Sequence, residues 1–325
     1  HLLRRAAFGA PASQLEQMCS TGYDALVDKI LEIDQSCRLP EDLFDRFNIE
    51  HSAGEGFKGS SARWIYRMIN SPFPIEEKVA LMWHGRFATG SSKVANSLMM
   101  YAHMNMLRDF GLGNFKTLLQ QLSRSPATLW WLDQQMNHTD AVNENYGREL
   151  LELFSMGRGN YSEEDVRSAA RSFTGWTIEQ TIPRYPGGWF DIDFVYRDDD
   201  HDHSQKEFLG ETGDFNGDDI IDIVVRQPAT GRFVATTICR FFLSDDPDER
   251  AIDTLAQAYF DSGYEIREVI RTLFKSTFFK ESGFQRVKCP VELVVGTIQL
   301  TEELRDPYEF GIEHLVKWTA SMGQE

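Results

Sequence analysis

Two glutamates three residues apart, Glu149 and Glu152, have a spacing that suits acid–base or metal chemistry. At about 100° per residue in a helix, they share one polar arc about 100° wide with Asn145 and Arg148. If this arc lines a cavity, the two carboxylates would either ligate a metal or act as a general acid and a general base. On a solvent-facing helix the same arc would hold only ion pairs. Both interpretations stay open, and the binding candidates of this segment are Asn143, Glu144, Asn145 and Arg148.

A second polar group lies in residues 198–203, which read Asp-Asp-Asp-His-Asp-His. In extended chain His201 and His203 face one way while Asp200 and Asp202 face the other. Imidazole and carboxylate at this spacing suit zinc, iron or manganese. In the structural alternative, His201 and Asp202 only fix the loop by hydrogen bonding.

Two further binding hypotheses concern the same region. Asp214, Asn216 and Asp218 have the alternating oxygen spacing of calcium loops, but no bidentate Glu stands at the twelfth place. A helix cap formed by Asp218 or Asp219 explains these residues more simply. Near the acidic loop, Trp176 and Trp189 form either a sugar-stacking platform or part of the core.

The charge of the chain excludes one class of partner. Its formal net charge is -17, and residues 191–222 alone hold twelve Asp or Glu against two Lys or Arg. Such a surface repels phosphate backbones, so we expect no nucleic-acid partner. No run approaches the roughly 18 apolar residues of a membrane-spanning helix.

Several familiar sites are missing from the sequence. There is no G-x-S-x-G elbow, P-loop, dinucleotide fingerprint or H-E-x-x-H motif. The four cysteines form no CxxC pair, which argues against a structural zinc site. A disulfide between Cys19 and Cys37 stays open if the protein is exported.

These residues must be positioned by a largely helical framework. Helical periodicity predicts helices over residues 60–70, 75–87, 93–110, 114–123, 143–156, 163–173, 219–226, 230–243, 250–262 and 266–275. Alternating apolar and polar residues predict a small β hairpin or ribbon inserted near 174–210. We therefore predict a mainly α, multi-helix compact fold forming a single domain over 1–325, with a fallback boundary near 175. Because the first residue is not Met and no polar tail precedes the last, we expect an excerpt truncated at both ends.

Four stretches, in order along the chain, resemble the bacterial family known as domain of unknown function 1800. They are Trp83 to Thr89, Asn143 to Trp176, His201-Asp202 with Lys206 to Gly210, and Gly217 to Asp222 with Pro228-Ala229-Thr230. The longest contains the run N-E-N-Y-G-R-E-L-L-E-L-F-S-M-G. In two departures, Arg86 stands where the family often has a second histidine and Ser204 replaces a usual glycine.

The resemblance implies a location and a neighbour more than a reaction. Members are generally bacterial and often exported, so we expect a periplasmic or secreted protein. They are often encoded beside a protein similar to sulfatases and alkaline phosphatases, which is the expected partner.

The family segments also add His84 and Lys206 to the candidates, since both lie in matching motifs. Metal ligation is assigned to His84, His201 and Asp202, and catalysis to Glu149, Glu152 and Lys206. The leading hypothesis is a metal- or carboxylate-dependent hydrolase of an extracellular polymer or ester. The alternative is a non-catalytic surface or assembly protein that binds calcium, carbohydrate or a partner through its acidic ribbon. For His84 the structural alternative is a helix brace beside Trp83.

Overall fold

Helices form most of the computed structural model, which describes residues 1–48, 57–87, 89–94, 96–180, 192–307 and 311–324. Within these ranges the β-sheets are two small antiparallel hairpins. The predicted mainly α fold is therefore confirmed.

The first half of the chain contains short and medium helices. Helices α1 to α10 span Leu2–Ala6, Ala12–Cys19, Tyr23–Leu31, Leu43–Phe47, Phe57–Asn70, Pro74–His84, Ser91–Val94, Ser97–Phe110, Phe115–Arg124 and Pro126–Trp131. The helix predicted over 93–110 is wrong at its start, because Asn96 caps a new helix by accepting from the backbone N–H groups of Leu98 and Met99.

The second half follows the predicted pattern closely. Helices α11 to α19 span Asn145–Glu149, Glu163–Ser172, Gly217–Val225, Pro228–Phe242, Glu249–Asp261, Ile266–Lys275, Thr277–Glu281, Pro290–Thr301 and Ile312–Ser321. A π-helical segment, Leu150–Ser155, directly follows α11. The predicted helix over 143–156 is thus two consecutive forms, an α-helix and a π-helical segment in which Leu153 is exposed.

The predicted ribbon consists of two hairpins. Strand β1 (Trp176–Gln180) pairs antiparallel with β2 (Ile192–Tyr196), so that Trp176 lies opposite Tyr196. Residues 181–191, which include Trp189, lie outside the described part of the chain. Strand β3 (Lys206–Phe208) pairs with β4 (Glu211–Gly213) through a turn whose central residues both have positive φ, as in tight hairpins. Three-residue strands are too short to produce a periodic signal in the sequence.

Two capping boxes fix helix starts around the acidic segment. Ser162 and Asp165 cap α12 reciprocally, although Asp is less usual than Glu at the second position. Asn216 and Asp219 cap α13 in the same way. The expectation that Asp218 or Asp219 would be the N-cap is therefore wrong by two or three residues, since the Asn216 side chain accepts from both of their backbone N–H groups.

The chain divides into two compact units. The first comprises residues 1–82, 236–255 and 267–325, and the second comprises 83–235 and 256–266. In the first unit the core contains Val27, Leu31, Ile75, Val79, Ile238, Phe242, Leu273 and Phe274. In the second unit it contains Trp83, Phe87, Phe115, Leu118, Leu122, Tyr146, Phe154 and Phe173. The candidate site residues all belong to the second unit, while the single-domain assignment stays a prediction.

Two features bear on the environment of the protein. None of the helices in the described ranges combines the length and apolar character that crossing a membrane requires. All four cysteines, which fall within these ranges, are free, and Cys19 and Cys37 are both exposed.

Candidate functional site

The loop that carries His201 is fixed by the backbone of residues 174 and 175. The carbonyl oxygen of Thr174 lies 3.0 Å from His201 Nδ1, and the Thr174 hydroxyl accepts from the backbone N–H of Asp202 at 2.8 Å. Gly175 has φ +79°, and a Cβ there would lie 2.3 Å from the carbonyl oxygen of Arg197. Only glycine permits this close approach, which brings the end of β2 and the His201 loop together.

His201, His203 and Asp214 form the one cluster of three such side chains, among the residues described, whose metal-ligand atoms all lie within 4.8 Å of one another. The two imidazole rings meet edge to face, with centroids 4.8 Å apart. His201 is buried, whereas the side chains of His203 and Asp214 are 54% and 50% exposed. His203 and Asp214 therefore open this cluster to solvent on one side.

Lys206 lies buried next to the cluster. Its side chain is fully buried, and its ammonium group donates to the carbonyl oxygens of Asp202 and Ser204 and lies 3.3 Å from Asp214 Oδ1. The β3–β4 pairing sets Lys206 opposite Gly213, which places Asp214 beside it. Lys206 therefore contacts the cluster through the carboxylate of Asp214, and its assignment to catalysis stays a prediction.

Asp202 has a structural partner instead of a place in the cluster. Arg171 Nε donates to its carboxylate at 2.7 Å, and the backbone N–H of Ser204 donates at 2.9 Å. Burial opposes ionisation of Asp202, but the hydrogen bonds from Arg171 and Ser204 outweigh it and hold the pKa well below its usual range. Asp202 thus joins the loop to α12.

The two glutamates of the central helix differ in environment. Glu152 accepts from Arg158 and from the hydroxyl of Tyr161, and the Arg158 hydrogen bond lowers its pKa. Glu149 has a buried Oε2 with no hydrogen-bond partner among the described residues. Burial, then the charge of Glu152, raises the pKa of Glu149. Two carboxylates whose pKa values move apart can serve as acid and base.

The other residues of the polar arc mainly hold the helix in place. Arg148 pairs with Glu144 at 3.1 Å and with Glu163 at 2.7 Å. Asn143 accepts from the backbone N–H of Asn145, whose side chain donates to the carbonyl oxygen of Leu132. These contacts tie α11 to its neighbours and give the arc its ion-pair network.

Trp176 is covered on every side that the structure describes. Only 3% of its surface is exposed. The rings of Phe173 and Phe194 lie 5.0 and 5.1 Å from it, and the Arg124 guanidinium lies 4.6 Å from its centroid. A Cβ at Gly217 would contact its ring at 2.8 Å. The indole therefore packs in the core.

His84 lies outside the cluster formed by His201. It ends α6, and its ring lies 6.3 Å from that of His103 on α8. The structure thus separates the three predicted ligands, since Asp202 pairs with Arg171, His84 neighbours His103, and His201 alone belongs to the cluster.

Sequence reasoning underrated two residues, His203 and Asp214. The i, i+2 spacing of His201 and His203 was the available signal, and their rings do lie side by side. The sequence pattern places Asp214 only in the calcium-loop hypothesis, and in the structure Asn216, the next oxygen ligand of that pattern, instead caps α13. Asp200, facing the other way, bonds His138 Nδ1 at 2.6 Å.

A mainly α protein with a partly exposed His–His–Asp cluster is the class that this fold and geometry define. The chain belongs to the family described as Protein of unknown function (DUF1800), whose model matches residues 1–325. The resemblance seen in the sequence is thereby confirmed over the full length. No curated protein and no solved structure matches the chain.

Proposed function

We propose that this protein is an exported bacterial hydrolase that depends on a divalent transition ion and acts on an extracellular polymer or ester. The observation that carries the proposal is the convergence of His201, His203 and Asp214, with ligand atoms within 4.8 Å of one another. Two imidazoles and a carboxylate are a ligand set of hydrolytic metal centres, which keep further positions open for water and substrate.

The surroundings of the cluster fit a metal. When Nδ1 of His201 donates to the carbonyl oxygen of Thr174, Nε2 carries the lone pair that a metal requires. Lys206 orients Asp214 in a similar way. Metal ligands are typically held by such outer partners, and their loss weakens binding about 10–100-fold.

The exposed side of the cluster suits a large substrate. A divalent ion held there would act as a Lewis acid on a carbonyl or phosphoryl oxygen. Asp198, whose Oδ1 lies 3.5 Å from His203 Nε2, is 76% exposed and supplies a nearby carboxylate for proton transfer. Glu149 and Glu152 form a second acid–base pair. If the hydrolase depends on carboxylates and not on a metal, these two side chains would carry the reaction.

Location and partner rest on the family. Resemblance to exported bacterial members supports a periplasmic or secreted protein. The same resemblance supports association with a sulfatase- or alkaline-phosphatase-like protein encoded nearby.

One observation favours a second, non-catalytic function. Asp214 in the cluster and Asp198 next to it both carry exposed carboxylates, and hard oxygen ligands of this kind bind calcium. A surface or assembly protein would use such a site to bind calcium and, through it, a carbohydrate or a partner protein.

Metal analysis of wild type, His203→Ala and the control His314→Ala tests the proposal. His203 and His314 are both exposed, so neither change should disturb the core. After chelation and dialysis against zinc, manganese, iron or calcium, the wild type and His314→Ala should each bind one more transition ion than His203→Ala. Hydrolysis of p-nitrophenyl acetate and bis(p-nitrophenyl) phosphate should fall at least about 10-fold in His203→Ala alone.

Three results would count against hydrolysis at this site. Equal metal content in wild type and His203→Ala would show that His203 holds no metal ion. Binding of calcium alone would favour the non-catalytic function. Hydrolysis that is unaffected by His203→Ala would place the activity elsewhere, and a Glu149→Gln variant would then test the carboxylate pair.

A further inference from the structure

A second pair of histidines, His84 and His103, lies inside the same unit. His103 on α8 is almost completely buried, at 1% exposure. Its ring meets that of His84 edge to face, with centroids 6.3 Å apart and an interplanar angle of 62°. His84 keeps part of its surface accessible, which gives a route from solvent to the pair.

The two nitrogens of His103 have different surroundings. Nδ1 lies 3.0 Å from the hydroxyl oxygen of Ser125, and the hydroxyl of Thr128 lies 3.5 Å away. Nε2 is buried and has no hydrogen-bond partner among the described residues. Buried polar atoms are nearly always hydrogen-bonded, so this atom calls for an explanation.

The side chain of Ser125 contacts His103 and does not cap its own helix. It occupies the N-cap position of α10, where serine commonly accepts from backbone N–H groups, but its side chain makes no capping bond. Its oxygen is instead in place to accept from Nδ1 of His103. A metal-ligating histidine is typically held this way, with one nitrogen donating to an outer partner and the other carrying the lone pair.

The distance between the rings fits a shared ion. With a metal–nitrogen bond of about 2.0–2.1 Å, each ring centroid lies about 3.2 Å from the metal. Two such rings are then separated by about 5.2 Å at a tetrahedral angle and about 6.4 Å when collinear. The observed 6.3 Å lies close to the collinear value, the arrangement of two opposite ligands of a square-planar ion.

We propose that His84 and His103 bind a late first-row divalent ion, of the copper or nickel kind, at a site separate from the His201 cluster. A ligand pair of neutral imidazoles suits copper, nickel and zinc and disfavours calcium and magnesium, which prefer oxygen. Burial, then the neighbouring His84, lowers the pKa of His103 to about 3, and burial lowers that of His84. Both rings are therefore neutral near pH 7, as metal ligands must be.

The test uses the full chain in a His203→Ala background, which removes the proposed first site. The exposed thiols of Cys19 and Cys37 are alkylated beforehand so that they do not bind the probe. Copper(II) is then titrated, and its electron paramagnetic resonance spectrum is recorded. We expect one bound ion with nitrogen hyperfine coupling from two imidazoles, and we expect the further change His103→Gln to abolish it.

A second pair of variants protects the result against misfolding of His103→Gln. Ser125→Ala should weaken copper binding about 10–100-fold by removing the outer partner. Ser123→Ala, which removes a buried hydroxyl bonded to Tyr146 instead, should leave affinity unchanged. Equal affinities in these two variants, or no bound copper in His203→Ala, would overturn the inference. Neither result would change the difference in bound zinc between wild type and His203→Ala, and that difference tests the His201 cluster separately.

Discussion

The first unit contains a buried charge cluster whose disruption gives the sharpest stability prediction. Glu292 on α18 accepts from Arg286 Nη1 at 2.9 and 2.7 Å and from the ammonium group of Lys78. All three side chains are buried, and Lys78 also lies 4.7 Å from the centroid of the Phe8 ring. Glu292→Gln removes the one negative charge and leaves two cations facing each other.

The expected magnitude follows from the charges. Burial opposes ionisation of Glu292, but Lys78 and Arg286 outweigh it and lower its pKa from 4.5 to about 2. At about 1.36 kcal/mol per pKa unit, this corresponds to about 3 kcal/mol of stability near pH 7. Burial also lowers the pKa of Lys78 to about 8, so its charge depends on the glutamate. We therefore expect Glu292→Gln to cost about 3–5 kcal/mol.

Urea unfolding followed by circular dichroism at pH 7 measures this loss, with the exposed Glu281→Gln as the matched control. Because the folded-state pKa of Glu292 is depressed, its contribution is complete above pH 4.5 and disappears as the pH falls towards about 2. Wild type should lose stability across that window more steeply than Glu292→Gln. A loss below about 1 kcal/mol, or identical acid profiles, would refute the argument that the cluster is desolvated.

Two further predictions concern local geometry in the second unit. Gly147→Ala would place a Cβ 2.9 Å from the backbone nitrogen of Ala170, so α11 and α12 must separate. We expect the free energy of unfolding, measured by urea titration, to fall by about 1–3 kcal/mol, although alanine has the better helix propensity. A gain in stability would show that the helices can move apart freely. Asn216→Ala removes the cap of α13 and should cost about 1 kcal/mol, seen as a lower Tm, whereas an unchanged Tm would mean that solvent replaces the cap.

Local patterns predicted most helices because their apolar spacing and caps act within a few residues. The predicted helix over 266–275 matches α16 exactly in its bounds, since an amphipathic face and short-range hydrogen bonds decide it. The π-helical turn at Leu150–Ser155 was missed, because it arises from packing of a segment whose local sequence is an ordinary helix pattern.

The candidate site was predictable only in part. Histidine and aspartate near residue 201 were identified from residue type and from resemblance, and the i, i+2 spacing of His201 and His203 survived folding. The partner Asp214 depends on a hairpin of three-residue strands, which carries too few residues for a pattern. Arg171, which pairs with Asp202, lies 31 positions earlier, on α12.

The sequence by itself determined the helical class, the acidity, the family and the residue types available for chemistry, because each depends on composition or on neighbours along the chain. The tertiary structure alone decided which of those residues meet. It brings His201 together with His203 and Asp214. It also pairs Asp202 with Arg171 and places the ring of His84 beside that of His103. Contacts between distant positions are selected by the burial and pairing of whole elements, and no local spacing encodes that choice.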